Sequence, residues 1–167
     1  MEVFIKIFDT YESSQNEIQW IVNFMSNPGR KLPDRKWDTA YLFESTDLLH
    51  WHYRHAFYEP KPEWTSEEED CACPDFFRLG GKYMLLCISH QCGARYYLGR
   101  YENEVFTPER HERMNWPGGT CFAPESLLDD KGRRIMWAWA LDRSPAGMMT
   151  EHGWSGTMTL PRVLSLA

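Results

Sequence analysis

No run of eighteen apolar residues occurs in this 167-residue sequence, so nothing in it reads as a membrane-spanning helix. Its start, "MEVFIKIFDTYESS", lacks the basic, apolar and small-residue order of a secretory signal. A soluble, unexported chain is the expectation. A basic stripe is missing too: the formal net charge is −6, a field that repels a phosphate backbone. Neither nucleic acid nor membrane is expected as a partner, and a neutral or cationic one fits better. C-x-x-C pairs are also lacking. Cys71, Cys73, Cys87, His90 and Cys92 are soft ligands close in sequence, but Cys71 and Cys73 lie one residue apart, where both reach one ion only with strain. No metal and no cofactor is therefore expected. Five cysteines are an odd number in a chain too large to depend on disulfide staples, which favours reduced thiols and a cytoplasmic setting. "SHQCGARYY" has no partner spacing for a catalytic thiol, and His90 reads as a turn or rim residue.

What is present is a chain 43% hydrophobic and 15% aromatic, enough to bury the core of about one domain. Segments 17–24, 39–45, 82–89, 94–101, 133–141 and 156–166 are short, aromatic or β-branched, and bounded by Gly, Pro, Asn or Asp. They predict an all-β protein. Only "STDLLHW", 45–51, has room for a helical turn. Segments 26–38 and 142–153 carry Pro and Gly without period and read as long loops.

Self-comparison adds organisation. "CPDFFRLGGKYMLLC" (73–87) and "APESLLDDKGRRIMWA" (123–138) share a Pro-acid pair, then a Gly turn, then an apolar strand, fifty residues apart. "YLFESTDLLHW" (41–51) and "YLGRYENEVF" (97–106) form a second echo. A hairpin-built period near fifty residues is the mark of propeller blades. Units near 1–60, 61–114 and 115–167 make about three blades of four antiparallel strands, fewer than close a propeller, so part of a larger propeller is predicted.

"CPDFFRLGGKYMLL", "YYLGRYENEVFTPE", "FAPESLLDDKGRRIMWAW" and "GWSGTMTLPRVLSL" stand in the order in which glycoside hydrolase family 32, the β-fructosidases, carries similar motifs. The resemblance covers roughly residues 39–167. It implies a five-bladed propeller around a funnel and retaining hydrolysis of β-fructosides of the sucrose, inulin or levan type. In the family an Asp near the start of the domain is the nucleophile, the Asp of Arg-Asp-Pro grips the fructosyl hydroxyls, and the Glu of Glu-Cys-Pro is the acid/base. Retaining chemistry needs two carboxyls about 5 to 5.5 Å apart. This chain departs from the pattern: it has no Asn-Asp-Pro-Asn or Arg-Asp-Pro stretch, and Ala72-Cys73-Pro74-Asp75 stands where Glu-Cys-Pro-Asp is expected. An incomplete catalytic domain is one reading, and a carbohydrate-binding propeller that has lost its chemistry is the other.

An alanine moves no proton, so a substitute carboxyl is sought. Asp70 lies two residues before Ala72, on the same face of an extended strand, about 6 to 7 Å along it. Glu125 replaces the Gln of the family's Tyr-Ala-Pro-Gln stretch and matches Asp75 in the repeat, so the two acids are expected to face one funnel, where repulsion and burial raise one pKa. Asp75 is either a sugar contact or a turn cap. Trp116 in "MNWPGGT" and Trp154 in "GWSG" are the loop-borne indoles best suited to stack on a sugar ring. Trp137 and Trp139 share a strand face and read as packing, and the run Glu67 to Asp70 reads as a solvated turn. The expected partner is a fructoside; oligomeric state is not legible.

Overall fold

The computed structural model describes residues 4–7, 18–23, 38–47, 49–117, 119–142, 151 and 153–167, the first two segments as backbone. Among the described residues, twelve strands form three antiparallel sheets in chain order. The first holds β1 (Phe4–Ile7), β2 (Ile18–Asn23), β3 (Tyr41–Ser45) and β4 (His52–Ala56), paired in that order. The second is the regular meander β5 (Ala72–Leu79), β6 (Lys82–Ser89), β7 (Gly93–Glu102) and β8 (Val105–Arg113). In the third, β9 (Cys121–Leu128) pairs with one edge of β10 (Arg134–Ala140), while β11 (Thr157–Met158) and β12 (Arg162–Leu164) share the other.

The predicted 156–166 strand is thus two short pieces, separated around Leu160 and Pro161, because proline cannot donate to the ladder. No helix forms over the described part of 45–51. Asp47 instead accepts the amides of Leu49 and His50, both at 2.8 Å, and so closes a turn. Most of the predicted loops 26–38 and 142–153 lies outside the described residues.

Alternation within each strand sends one set of side chains toward the preceding sheet and the other toward the next. Phe76, Leu85, Cys87 and Tyr97 of the second sheet meet Ala40, Leu42, Phe57 and Tyr58 of the first. Aromatic rings dominate that layer, with Phe57 edge-on to Phe76 at 4.8 Å. On the other face Phe77, Leu79, Met84, Leu86 and Leu98 close over Met136 of β10. A smaller cluster, Ala72, Ile88 and Ala94 against Cys121 and Phe122, seals the end at which β5 and β9 begin. That end carries the candidate site.

Candidate functional site

The first strands of the second and third sheets begin with the same backbone distortion. Cys73 (φ 48°) and Ala123 (φ 42°) are left-handed non-glycine residues, each followed by proline and then an acid. Each lies in a bulge: Ala72 to Asp75 faces only Ile88 to Leu86, and Phe122 to Glu125 only Trp139 to Trp137. A left-handed L-residue costs about 1–2 kcal/mol, so two at matching repeat positions mark a feature held for a purpose. The bulge puts Ala72 and Asp75, three residues apart, on one face, toward the third sheet.

Asp75 is 2% exposed, and its Oδ2 accepts both the amide and the hydroxyl of Ser126 at 2.7 Å. Adjacent strand residues point to opposite faces, so Glu125 looks away from Asp75 across the third sheet, and it is exposed there. The two acids occupy equivalent blade positions, yet they do not share one funnel. Asp75 faces the third sheet, and Glu125 lies on that sheet's opposite face. Glu125 stands beside Trp137, on the sheet face that also carries Leu127 and Trp139.

The acidic run is not a uniformly solvated turn. Glu67 and Glu68 are exposed, but Glu69 is 5% exposed: Arg113 grips both its oxygens at 2.6 and 2.7 Å, and Arg95 reaches Oε2 at 2.8 Å. Arg95, fully buried, also donates to Asp38 Oδ1 and to the Asp70 carbonyl, each at 2.5 Å. Tyr58, Thr65 and Tyr97 donate their hydroxyls to Asp38. Burial alone raises the Glu69 pKa, but the Arg113 bonds, the Ser66 amide and the Arg95 charge outweigh it and hold it at about 2. For Arg95, burial is outweighed by the groups packed around it, Asp38 among them, and the guanidinium stays charged. Sequence reasoning missed this cluster. An arginine inside the apolar run "ARYYLG" was its one local signal.

Arg95 thereby fixes the segment entering β5. There Asp70 does not extend the strand beside Ala72; its Oδ1 accepts the His90 amide at 2.9 Å and its Oδ2 the His90 Nδ1 at 2.7 Å. The His90 ring meets Phe122 edge-on at 5.7 Å. Asn115 donates to the Cys92 carbonyl at 3.2 Å and so docks the β8–β9 loop on the same hairpin. This loop holds Trp116, 90% exposed. Trp154, 57% exposed, precedes β11, which pairs with Ala140 opposite Cys121 at the same end of the third sheet. The rim therefore gathers Asp70, His90, Phe122 and Trp116, with Trp154 at the adjoining sheet end. Ala72 lies beneath it, 4% exposed, its methyl in the Ile88 and Ala94 cluster. Among the described residues no three His, Cys, Asp or Glu side chains gather as an ion site.

Successive four-stranded antiparallel sheets packed face to face, with their first strands opening on one rim, define part of a five-bladed β-propeller. The chain belongs to glycosyl hydrolase family 32: residues 17–167 match the family's N-terminal domain, an overlap that starts well before the quoted motifs. It is 30% identical over 141 residues to a sucrose-6-phosphate hydrolase of Vibrio alginolyticus, covering 75% of this chain and 28% of that protein. It is 30% identical over 156 residues to a fructan 1-exohydrolase of Leymus chinensis, covering 78% and 25%. The chain thus spans about a quarter of the length of these relatives. The family 32 β-fructofuranosidase of Bombyx mori superposes with a TM-score of 0.72 at 22% identity, over 98% of this chain and 34% of the other. That enzyme has also been solved as a mutant in complex with sucrose.

Proposed function

We propose that this chain is part of a β-fructoside-binding propeller of the retaining-hydrolase kind, each sheet one blade, with units 1–60, 61–114 and 115–167. Sucrose, inulin or levan chains are its substrate class. The carrying observation is the strained turn at Cys73-Pro74-Asp75, repeated at Ala123-Pro124-Glu125, in a chain of family 32. Such a turn is maintained although the side chain before it is a methyl. Trp116 and Trp154 are the proposed stacking faces for the furanose rings, since an exposed indole offers a broad apolar surface to C–H groups. Of the two carboxyls considered for proton transfer, Asp70 stands on the rim, whereas Glu125 lies on the face of the third sheet turned away from Asp75. Asp75 on this reading is a tie between blades.

A second reading, a binding propeller without hydrolysis, is favoured by Ala72, whose packed methyl fills the place of the family's acid. Calorimetric titration of the chain with sucrose, 1-kestose and inulin oligomers tests what the two readings share. Saturable binding weakened by Trp116→Ala supports it; no heat with any β-fructoside rejects it. Turnover of sucrose by the full-length protein decides between hydrolysis and binding alone.

A further inference from the structure

We propose that His90, oriented by Asp70, is the proton-transfer residue of this site and takes the role that Ala72 cannot perform. The inference rests on the β-fructoside reading above and deepens it. Ala72 pairs with Ile88, and both lie on the face toward the third sheet. His90 opens the β6–β7 turn two residues after Ile88, and its ring meets Phe122 of β9 edge-on at 5.7 Å. The last rung of the β6–β7 ladder is Ser89 with Gly93, so His90 stands just beyond it, on the rim side of Ala72. Phe122 is itself the repeat equivalent of Ala72, so the imidazole lies between the two corresponding positions of neighbouring sheets.

Orientation is over-determined. Asp70 holds both the main-chain amide and Nδ1 of His90, and the Asp70 carbonyl is held in turn by the buried Arg95. With Nδ1 committed to the carboxylate, Nε2 is the nitrogen left to exchange a proton, the division of labour by which a carboxylate fixes an imidazole's tautomer. Trp116, on the loop that Asn115 docks to the same hairpin, offers a stacking face close by.

In the first half-reaction a carboxylate nucleophile, a group outside the described residues, attacks the anomeric carbon. The bond from that carbon to the leaving oxygen breaks, its electron pair goes to the oxygen, and the oxygen takes the Nε2 proton, leaving a neutral imidazole. In the second, Nε2 takes a proton from water as the water oxygen bonds to the anomeric carbon and the ester to the nucleophile breaks. Asp70 keeps its charge throughout and acts as a positioning residue.

The first test is nitrogen-15 spectroscopy of the histidine-labelled chain titrated with sucrose, the His90 signals being identified by their loss in His90→Gln. A saturable shift of Nε2, with the midpoint seen in tryptophan fluorescence, supports the proposal. Sugar binding that leaves the His90 signals unmoved overturns it while the binding reading survives; no binding overturns both. In Asp70→Asn the sucrose-dependent shift of Nε2 is reduced or lost; a shift identical to that of the wild type overturns the orienting role of Asp70. The second test is turnover by the full-length protein. His90→Gln lowers sucrose hydrolysis by about 100-fold or more, but spares the initial burst of fluoride released from β-fructosyl fluoride in the first half-reaction, since that leaving group needs no proton. Equal losses on the two substrates, no loss on sucrose, or an inactive wild-type protein overturn it.

Discussion

The Asp75 carboxylate binds Ser126 twice, accepting its amide and its hydroxyl at 2.7 Å, and so ties the first strand of one sheet to the first strand of the next. Both groups sit at the bulge-bearing ends of their strands, where the ladder is interrupted and a side chain is needed to satisfy the main chain.

Asp75→Ala removes two bonds to a charged acceptor and leaves a buried amide without its partner. A loss of about 3 kcal/mol is expected in urea unfolding, against about 1 kcal/mol for Ser126→Ala, which deletes only the hydroxyl contact. A near-equal cost for the two variants argues that the amide does not depend on Asp75.

Arg95 is the hub of the second prediction. It is shared by Glu69, Asp38 and the Asp70 carbonyl with no exposure to solvent, so Arg95→Met leaves the buried Asp38 with hydroxyl donors but no counter-charge and Glu69 with Arg113 alone. The expected cost is about 3–5 kcal/mol. Replacing Arg95 and Asp38 together by apolar residues recovers part of it, because the buried carboxylate is removed with its cation. A double-mutant cycle in denaturant measures the coupling, and strict additivity contradicts the hub.

The sheets were legible in the sequence because alternation and turn residues are local. The repeat was legible because "CPD" and "APE" carry the same backbone demand, which the left-handed Cys73 and Ala123 satisfy alike. The position of Glu69 was not legible. Its partners Arg95 and Arg113 lie 26 and 44 residues further along, and only the folded second sheet brings them back. For the same reason Asp70, read as a carboxyl alternating along a strand, is turned instead to His90 on the neighbouring hairpin, 20 residues away. Asp75 and Glu125 follow the same left-handed bulge, as the repeat in the sequence suggests, but Asp75 faces the third sheet while Glu125 lies on that sheet's far side.

Acid acts on the same buried cluster in two windows. Burial, and next Arg95 and Arg113, push His111 down from 6.5 to about 4, outweighing Asp38 and Glu69. The unfolded chain therefore binds this proton first, and the stability from neutral His111, complete above pH 6.5, is lost as pH falls to about 4. Glu69 is likewise depressed, from 4.5 to about 2, so its contribution is complete above pH 4.5 and is lost between there and about 2. His111→Phe, which keeps the ring that stacks on Trp64, is expected to remove the upper window and leave the lower one. Denaturant midpoints measured from pH 7 to pH 3 read both. A variant that retains the full loss between 6.5 and 4 rules out His111 as its source.

Ala72→Glu joins stability to chemistry. Ala72 is enclosed by Ile88 and Ala94, with Cys73, Met114, Cys121 and Phe122 partly covering the cluster, so a longer and charged side chain has to displace them. A cost of about 1–3 kcal/mol is expected from overpacking, with a further charge penalty that shrinks as the pH is lowered and the acid is protonated. Under the proton-transfer assignment, a carboxyl at 72 and the imidazole at 90 serve one leaving oxygen, so their effects on sucrose turnover are coupled. His90→Gln should cost far less in the Ala72→Glu background than in the wild type. Because a merely structural His90 loses the same factor in either background, the four-variant cycle separates the roles even where the added glutamate lowers stability.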